Sequence, residues 1–291
     1  MFALSNFNVT VLVTKNLTLD RHIMKSIHIL LLRLTQILVS WKFKNKQVFV
    51  VCGMRRSGNH AFINWLLNAL EETETFFKEF KGDRISVSES GKTIFFNEAS
   101  FYGLKFFLKL IFESKEAVSN ANNVIISIED YVPRGGFDPY FPNGATTVVI
   151  KRSTLNLIAS RLKRAIDQAQ EGKDRGDMAI NEQFFSRLSW IYSQKETSGH
   201  VCWSFDDWLV DKNRYRQRFL KKLNLSFNAT PQMSTQGGGS SFSGQSKIPT
   251  PGEMQSRWSS IDWPERVLQM TNRNTSLLTE NEARFLSDKL K

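Results

Sequence analysis

Residues 47–66, QVFVVCGMRRSGNHAFINWL, contain the clearest structural signal in the chain. Residues 48–52 form a continuous apolar run, which predicts a buried strand. A polar turn with Gly53 and Gly58 follows, and apolar residues then recur at helical spacing through residues 62–70. A strand, a glycine-containing turn and a helix in direct succession predict one unit of an α/β sheet.

The turn between this strand and helix is suited to binding an anion. Backbone N–H groups at a helix start lack intrahelical partners, and the helix dipole has its positive end there. Arg55 and Arg56 add two full charges beside the turn. The segment therefore predicts a site for a phosphate or sulfate group, the alternative being a glycine turn in a plain α/β core.

The turn has the glycine spacing of a nucleotide P-loop but lacks two of its functional residues. Asn59 and His60 stand where that motif has Lys and Ser or Thr. The missing Lys removes a charge that reaches the β- and γ-phosphates, and the missing hydroxyl removes a ligand of Mg²⁺. These departures argue against an ordinary ATPase or kinase.

A second strand-and-helix pattern lies about a hundred residues further on, where residues 146–166 read TTVVIKRSTLNLIASRLKRAI. Arg152 directly follows the predicted strand, and Ser160 lies on the polar side of the predicted helix. Open α/β sheets bind ligands at the carboxyl ends of their strands, which is where Arg152 is expected. The alternative is a solvated helix face with a surface arginine.

The two segments together resemble the sulfotransferases that use PAPS (3′-phosphoadenosine 5′-phosphosulfate). The run Arg56-Ser57-Gly58-Asn59-His60 matches, position by position, the Lys-Ser-Gly-Thr-Thr run that is usual in their 5′-phosphosulfate loop. Arg152 and Ser160 have the spacing of the family's 3′-phosphate pair. The resemblance implies that these residues, with Arg55, bind PAPS and that no metal is required.

A glycine-rich stretch, residues 236–244, lies nearer the C-terminus. By composition it is either a flexible linker or a loop whose backbone closes over an anion. The resemblance implies the second, because the family has a glycine loop here that covers the 3′-phosphate and adenosine. The residues it would contribute are Gly238, Gly239, Ser240 and Ser241. The Arg-Lys pair that usually precedes this loop is replaced by Thr235 and Gln236.

The resemblance also suggests a catalytic base and an adenine contact. Glu129 ends a predicted strand, at the place in the order where the family has its base, a His or a Glu. Asp130 and Glu98 are the reserve candidates, and a polar strand exit is the structural alternative. Phe205 matches an aromatic residue that contacts adenine, and it could equally be ordinary core. Ala61 stands where the family has a Trp.

Five apolar runs predict the strands of a single α/β domain. They cover residues 48–52, 93–96, 124–128, 147–150 and 201–204. Helical stretches separate most of them, as parallel strands require. We therefore predict three layers, with a parallel sheet of about five strands flanked by helices in a P-loop NTPase-like sulfotransferase fold. The domain is predicted to span residues 47–291, preceded by an N-terminal extension over residues 1–46.

Composition limits the classes of partner. The net charge of +11 favours polyanionic ligands. The basic residues are scattered through predicted helices, without the pattern of a nucleic-acid-binding module, so nucleic acid is not expected as a partner. The two cysteines and four histidines show no metal-ligand spacing.

The extension contains an apolar stretch, residues 23–41, that is interrupted by charges. A membrane-spanning helix would need about twenty apolar residues with few charges. The stretch predicts an amphipathic helix that packs on the domain or lies on a membrane surface, and a degenerate signal anchor is a third reading. We expect a cytoplasmic protein, with peripheral membrane contact through this stretch as the alternative to packing.

The sequence thus predicts an enzyme that transfers a sulfuryl group from PAPS to a hydroxyl of a glycan or small polar molecule. Arg56 would stabilise the leaving group and Glu129 would accept the proton. A P-loop kinase or NTPase is one alternative, and a non-catalytic anion-binding protein with the same fold is another. Glu129 discriminates between the enzyme and the binding protein, because a binding protein needs no base.

Overall fold

The computed structural model describes residues 36–73, 77–80, 85–97, 115–131, 142–172, 179–197, 200–226 and 257–291, with residues 30, 33, 34, 75 and 252. Its strands are β1 Gln47–Gly53, β2 Phe77–Phe80, β3 Ile85–Ser88, β4 Thr93–Phe96, β5 Asn123–Glu129, β6 Thr146–Lys151 and β7 His200–Ser204. Its α-helices are α1 Asn59–Glu71, α2 Lys115–Asn120, α3 Thr154–Gln170, α4 Glu182–Ser193, α5 Phe205–Val210, α6 Lys212–Leu223, α7 Glu265–Asn272 and α8 Glu280–Lys289. Two short 3₁₀-helices span Arg257–Ser260 and Thr275–Leu277.

The seven strands form one sheet in the order β2-β3-β4-β5-β1-β6-β7. From β4 to β7 every neighbouring pair is parallel. These five strands are the five that the apolar runs predict, so the α/β class and the parallel arrangement of these five strands are confirmed.

Two strands at one edge of the sheet were not predicted. β2 and β3 pair antiparallel with each other, and β3 pairs antiparallel with β4, so the sheet is mixed rather than purely parallel. Each has four residues: β3, ISVS, alternates apolar with polar residues, and β2, FKEF, has two charged residues between two phenylalanines. They lack the continuous apolar run that marks a central parallel strand buried on both faces.

The central strand β1 has helices on both sides, as three layers require. Phe49 and Val51 face one apolar cluster, which includes Phe62 and Trp65 of α1. Val48 and Val50 face a second cluster on the other side of the sheet. Neighbouring residues of a strand point to opposite faces, so this division follows from the strand itself.

The N-terminal segment contributes to the second cluster. Residues 36–42 are helical, and Val39 and Phe43 are buried against strand residues of the domain. The packing therefore extends across the predicted boundary at residue 46. In the described part of the chain, no helix has the length and apolar character needed to span a bilayer.

The strand order places a ligand site at the end of β1. The sheet runs from β1 to β5 on one side and to β6 on the other, and Gly53 pairs in register with both Glu129 and Ile150. The carboxyl ends of β1, β5 and β6 therefore meet at a topological switch point, where open α/β sheets bind ligands.

Candidate active site

The loop between β1 and α1 folds tightly over itself. A Cβ added to Gly53 would lie 2.3 Å from Asn59 Oδ1 and 2.8 Å from Ser57 Oγ, so only glycine fits at Gly53. Arg56 has φ 73° and Gly58 has φ 102°, which turns the chain sharply into the helix. Glycine is therefore required at Gly53 by the close contacts around it, and at Gly58 by its positive φ.

The Asn59 side chain organises this loop. Its Nδ2 donates to the Met54 carbonyl at 3.2 Å and to Glu129 Oε1 at 2.7 Å. Its Oδ1 accepts from Ser57 Oγ at 2.8 Å. Both N–H groups of the amide are therefore used within the protein. Ser57 and Asn59 turn their side chains inward, and the Ser57 backbone N–H donates to the Met54 carbonyl at 3.0 Å. Of these two residues, Asn59 would therefore contact a ligand through its backbone N–H.

The start of α1 is open towards the loop. Its N-cap is Gly58, and no side chain caps it. The starts of α3, α4, α5, α6 and α8 are each capped by a Ser, Asn, Asp or Thr side chain, whereas α7 also lacks a side-chain cap. The first N–H groups of α1 are therefore suited to an anion from outside the chain.

The loop and the second predicted segment come together in space. Arg56 Nε donates to Ser160 Oγ at 3.4 Å. Arg152 Nη1 donates to the backbone carbonyl of Arg56. The arginine and serine after β6 thus lie directly against the loop after β1, as expected for neighbouring parallel strands.

Arg152 is the most unusual charge in the site. Its side chain is buried, and its Nε and Nη2 have no hydrogen-bond partner among the described residues. Burial, together with the charges of Arg257 and Arg56, lowers the pKa of Arg152 to about 10, although Asp206 acts in the opposite direction. A buried guanidinium with unpaired N–H groups is costly unless an anion satisfies them.

Arg257 is a further arginine at this site. It was not predicted from the sequence. It lies in the 3₁₀-helix Arg257–Ser260, is buried, and is close enough to Arg152 to lower the pKa of that residue. No motif surrounds it in the sequence, and it is separated from Arg152 by about a hundred residues. Only the folded chain brings Arg56, Arg152 and Arg257 together.

Phe205 packs against the loop rather than lying free in a pocket. The Arg152 guanidinium lies 5.0 Å from the centre of its ring. Trp203 and Trp208 flank it at ring separations of 5.9 and 5.7 Å. Phe205 therefore belongs to the aromatic core and also borders the site, and its contact with adenine stays a prediction.

We expect Gly58→Ala to destabilise the protein more than Gly91→Ala does. Both glycines have positive φ, which costs an alanine about 1–2 kcal/mol. At Gly58 the added Cβ would also lie 2.3 Å from Phe205 Cδ2, whereas Gly91 has open space around it. Urea unfolding of both variants measures the difference. Equal losses of unfolding free energy would contradict the tight packing of Phe205 on the loop.

The two carboxylates after β5 have different surroundings. Asp130 Oδ1 accepts from the Arg55 backbone N–H at 3.0 Å, and Arg161 Nη1 donates to Oδ1 and Oδ2 of Asp130 at 2.9 and 3.1 Å. It holds the loop and the buried Arg161 in place. Glu129 accepts from Asn59 and lies 3.7 Å from Arg55 Nε.

Burial raises the pKa of the Glu129 carboxyl above its ordinary value, although the Asn59 hydrogen bond and the Arg55 charge act in the opposite direction. A carboxylate with a raised pKa is a better proton acceptor than one in water. Of the two neighbours, Glu129 therefore has the properties of a base, and Asp130 has those of a positioning residue.

His60 is uncharged at neutral pH. Burial, with a contribution from the Arg56 charge, lowers its pKa to about 4. Its Nδ1 is buried without a partner in the described part of the structure. A neutral imidazole can donate one hydrogen bond, so His60 can contact an anion only as a donor and adds no charge.

The start of α3 is already occupied by protein carboxylates. Glu282 Oε1 accepts from Ser153 Oγ at 2.6 Å and from the Leu155 N–H at 2.8 Å, and Asp206 accepts from the Ser153 N–H. An anion at this site would therefore meet Arg152 and Ser160 rather than the helix start. Neither carboxylate was predicted from the sequence.

Some predicted site residues fall outside the described residues. They are Gly238, Gly239, Ser240 and Ser241 of the glycine-rich stretch, and the reserve base Glu98. Their roles stay predictions. Among the residues that the structure does describe, no three His, Cys, Asp or Glu side chains form a group that could hold a metal.

Solved structures with some likeness to this fold come from the family that the sequence resembles. The sulfotransferase domain of the curacin biosynthetic pathway is 12% identical, with a TM-score of 0.43 over 79% of this chain and 96% of that one. The sulfotransferase domain of the Synechococcus PCC 7002 olefin synthase is 10% identical, with a TM-score of 0.42 over 84% and 94%.

A third likeness is to retinol dehydratase, solved with androsterone and the inactive cofactor PAP. It is 10% identical, with a TM-score of 0.36 over 82% of this chain and 69% of that one. No protein-family model matches the chain, and no curated protein matches it. At these scores and identities the likenesses assign no activity to this chain.

Proposed function

We propose that this protein is a sulfotransferase that moves a sulfuryl group from PAPS to an acceptor hydroxyl. One observation supports this most strongly: the buried Arg152, whose Nε and Nη2 have no partner among the described residues, lies against the loop between β1 and α1, where the helix start has no side-chain cap. Two anion subsites therefore adjoin each other. A donor with a 5′-phosphosulfate and a separate 3′-phosphate matches two adjoining subsites.

In this proposal the residues divide between the two ends of the donor. The N–H groups at the start of α1, with Arg55, Arg56 and His60, hold the 5′-phosphosulfate. Arg152 and Ser160 hold the 3′-phosphate. Arg257 supplies a positive charge in place of the family's Arg-Lys pair, which is replaced here by Thr235 and Gln236. The stretch 236–244 would cover the nucleotide, and Phe205 would border its base.

Transfer would be an in-line displacement at sulfur. The acceptor oxygen forms a bond to sulfur while the bond from sulfur to the bridging oxygen breaks, and that electron pair stays on the departing phosphate of PAP. Arg56 would stabilise the charge that develops there, as cations do in phosphoryl transfer. Glu129 would take the proton of the acceptor hydroxyl.

The proposal predicts PAP binding that does not depend on a metal. By calorimetry, PAP should bind equally well with and without EDTA, because the loop offers N–H groups and arginines but no Mg²⁺-binding hydroxyl at position 60. ATP with Mg²⁺ should bind at least about tenfold more weakly, because it lacks the 3′-phosphate contact. Tight binding of ATP that requires Mg²⁺ would favour a kinase or NTPase instead.

The Asn59 geometry argues against the kinase alternative in particular. Asn59 occupies the position of the P-loop lysine, and its amide is bonded to Glu129 and Met54 rather than directed to a ligand. A non-catalytic anion-binding protein would keep the arginine cluster without turnover. Incubating the protein with PAPS and a panel of glycans and small hydroxyl compounds distinguishes a sulfotransferase from such a binding protein, since only an enzyme releases PAP.

A further inference from the structure

The helical segment that precedes β1, described at residues 30, 33, 34 and 36–42, carries an apolar stripe on its surface. We call it the outer stripe, and its residues are Leu30, Leu34, Ile37, Leu38 and Trp41. Each of these residues is between 48% and 74% exposed. The other large exposed apolar residues described in the structure, Ile166, Val210 and Leu290, lie apart from one another in the sequence. Exposed apolar residues grouped on one helix face mark an interaction surface.

The opposite face of the same helix fixes its orientation. Val39 is fully buried in the apolar cluster on the far side of the sheet from α1, and Phe43 follows it into that cluster. At about 100° per residue, Val39 lies roughly opposite the middle of the outer stripe. The stripe therefore faces away from the domain. One face of the helix thus packs on the domain, and the opposite face is available for contact with another surface.

Cations lie on both sides of the outer stripe. By the same helical geometry, Arg33 and Lys42 lie on either side of it, about 80–100° from its centre. Lys44 is exposed just after the helix, and Trp41 is the most exposed member of the stripe. An apolar stripe bordered by Lys and Arg, with an aromatic residue at one end, is typical of a helix that lies in the plane of a membrane surface.

We infer that the outer stripe docks on an anionic lipid bilayer, with the helix parallel to the surface and the domain held beside it. The flanking cations and the net charge of +11 favour an anionic surface over an uncharged one. They also repel a second copy of this chain at the same stripe. This inference does not depend on the proposed sulfuryl transfer.

Vesicle co-sedimentation of the full chain tests the inference. We expect binding to phosphatidylcholine vesicles that contain phosphatidylserine, weak binding to phosphatidylcholine alone, and release at high salt. Ile37→Asp should lower the partition coefficient roughly ten- to a hundredfold, because it removes one buried apolar side chain and adds a repelled charge. The matched control is Val210→Asp, which adds the same charge at an exposed valine on α5 and should leave binding unchanged.

A second pair of variants separates charge from apolar contact. Lys42→Gln with Lys44→Gln should weaken binding to anionic vesicles and leave the weak binding to phosphatidylcholine unchanged. Thermal unfolding of all variants checks that they fold. The inference is overturned if the full chain ignores anionic vesicles, or if Ile37→Asp binds as well as Val210→Asp. It is also overturned if sedimentation shows a dimer that Ile37→Asp dissociates.

Discussion

Replacing Glu129 with glutamine is expected to lower turnover by about 10²- to 10⁴-fold, the usual contribution of a general base. The amide has the same size as the carboxyl group and can still accept from Asn59, so the loop should keep its shape. Affinity for PAP, measured by calorimetry, should therefore stay nearly unchanged. A loss of turnover without a loss of binding is what distinguishes a base from a structural residue.

The pH dependence of turnover gives an independent check. Burial raises the pKa of Glu129, and a base must be deprotonated to act. Activity should therefore rise with pH through a limb that lies above the ordinary range of a glutamate, and Glu129→Gln should remove this limb. If Glu129→Gln stays active while Asp130→Asn or Glu98→Gln loses turnover with intact PAP binding, the base has been misassigned. Full activity of all three variants would exclude the carboxylate mechanism.

The second large effect is expected at Arg152. Losing a charge-assisted hydrogen bond costs about 1.5–3 kcal/mol, so Arg152→Ala should weaken PAP binding by roughly 10- to 150-fold. Binding of 5′-AMP, which lacks the 3′-phosphate, should change little. Calorimetry with both ligands measures the contrast.

Arg152 also contacts the loop carbonyl of Arg56 and the Phe205 ring, so a structural effect must be separated from a ligand effect. Arg152→Lys keeps the charge but not the forked geometry, and it should recover part of the PAP affinity. Arg284→Ala removes an exposed arginine of α8 and controls for net charge. Equal losses for PAP and 5′-AMP would mean that Arg152 only supports the fold.

The sequence predicted the centre of the sheet but not its edge. Four of the five parallel strands are buried on both faces along most of their length, and all five appear as largely apolar runs; β7, at the edge, alternates buried with half-buried residues. β2 and β3 are short and mix apolar with polar residues, and similar stretches occur in many loops. Their pairing with β4 depends on the finished sheet rather than on their own residues.

The candidate site divides in the same way. The resemblance predicted that Arg56 and Ser160 both contact PAPS, and the structure places Arg56 Nε 3.4 Å from Ser160 Oγ. Arg257, Arg161 and Glu282 were missed because their positions depend on packing between distant segments. The inward turn of Asn59 was missed as well, since a motif fixes the order of residues but not which side chains point to the ligand.

Glu282 has a consequence for the order in which the protein folds during its synthesis. The carboxylate of this residue holds the start of the helix that carries Ser160, and the carbonyl of Leu277 accepts from Thr154 at the same place. A nascent chain on the ribosome therefore contains the loop between β1 and α1, Arg152 and Ser160 long before it contains the groups that fix the helix start. The site reaches its final shape only after residue 282 has left the exit tunnel.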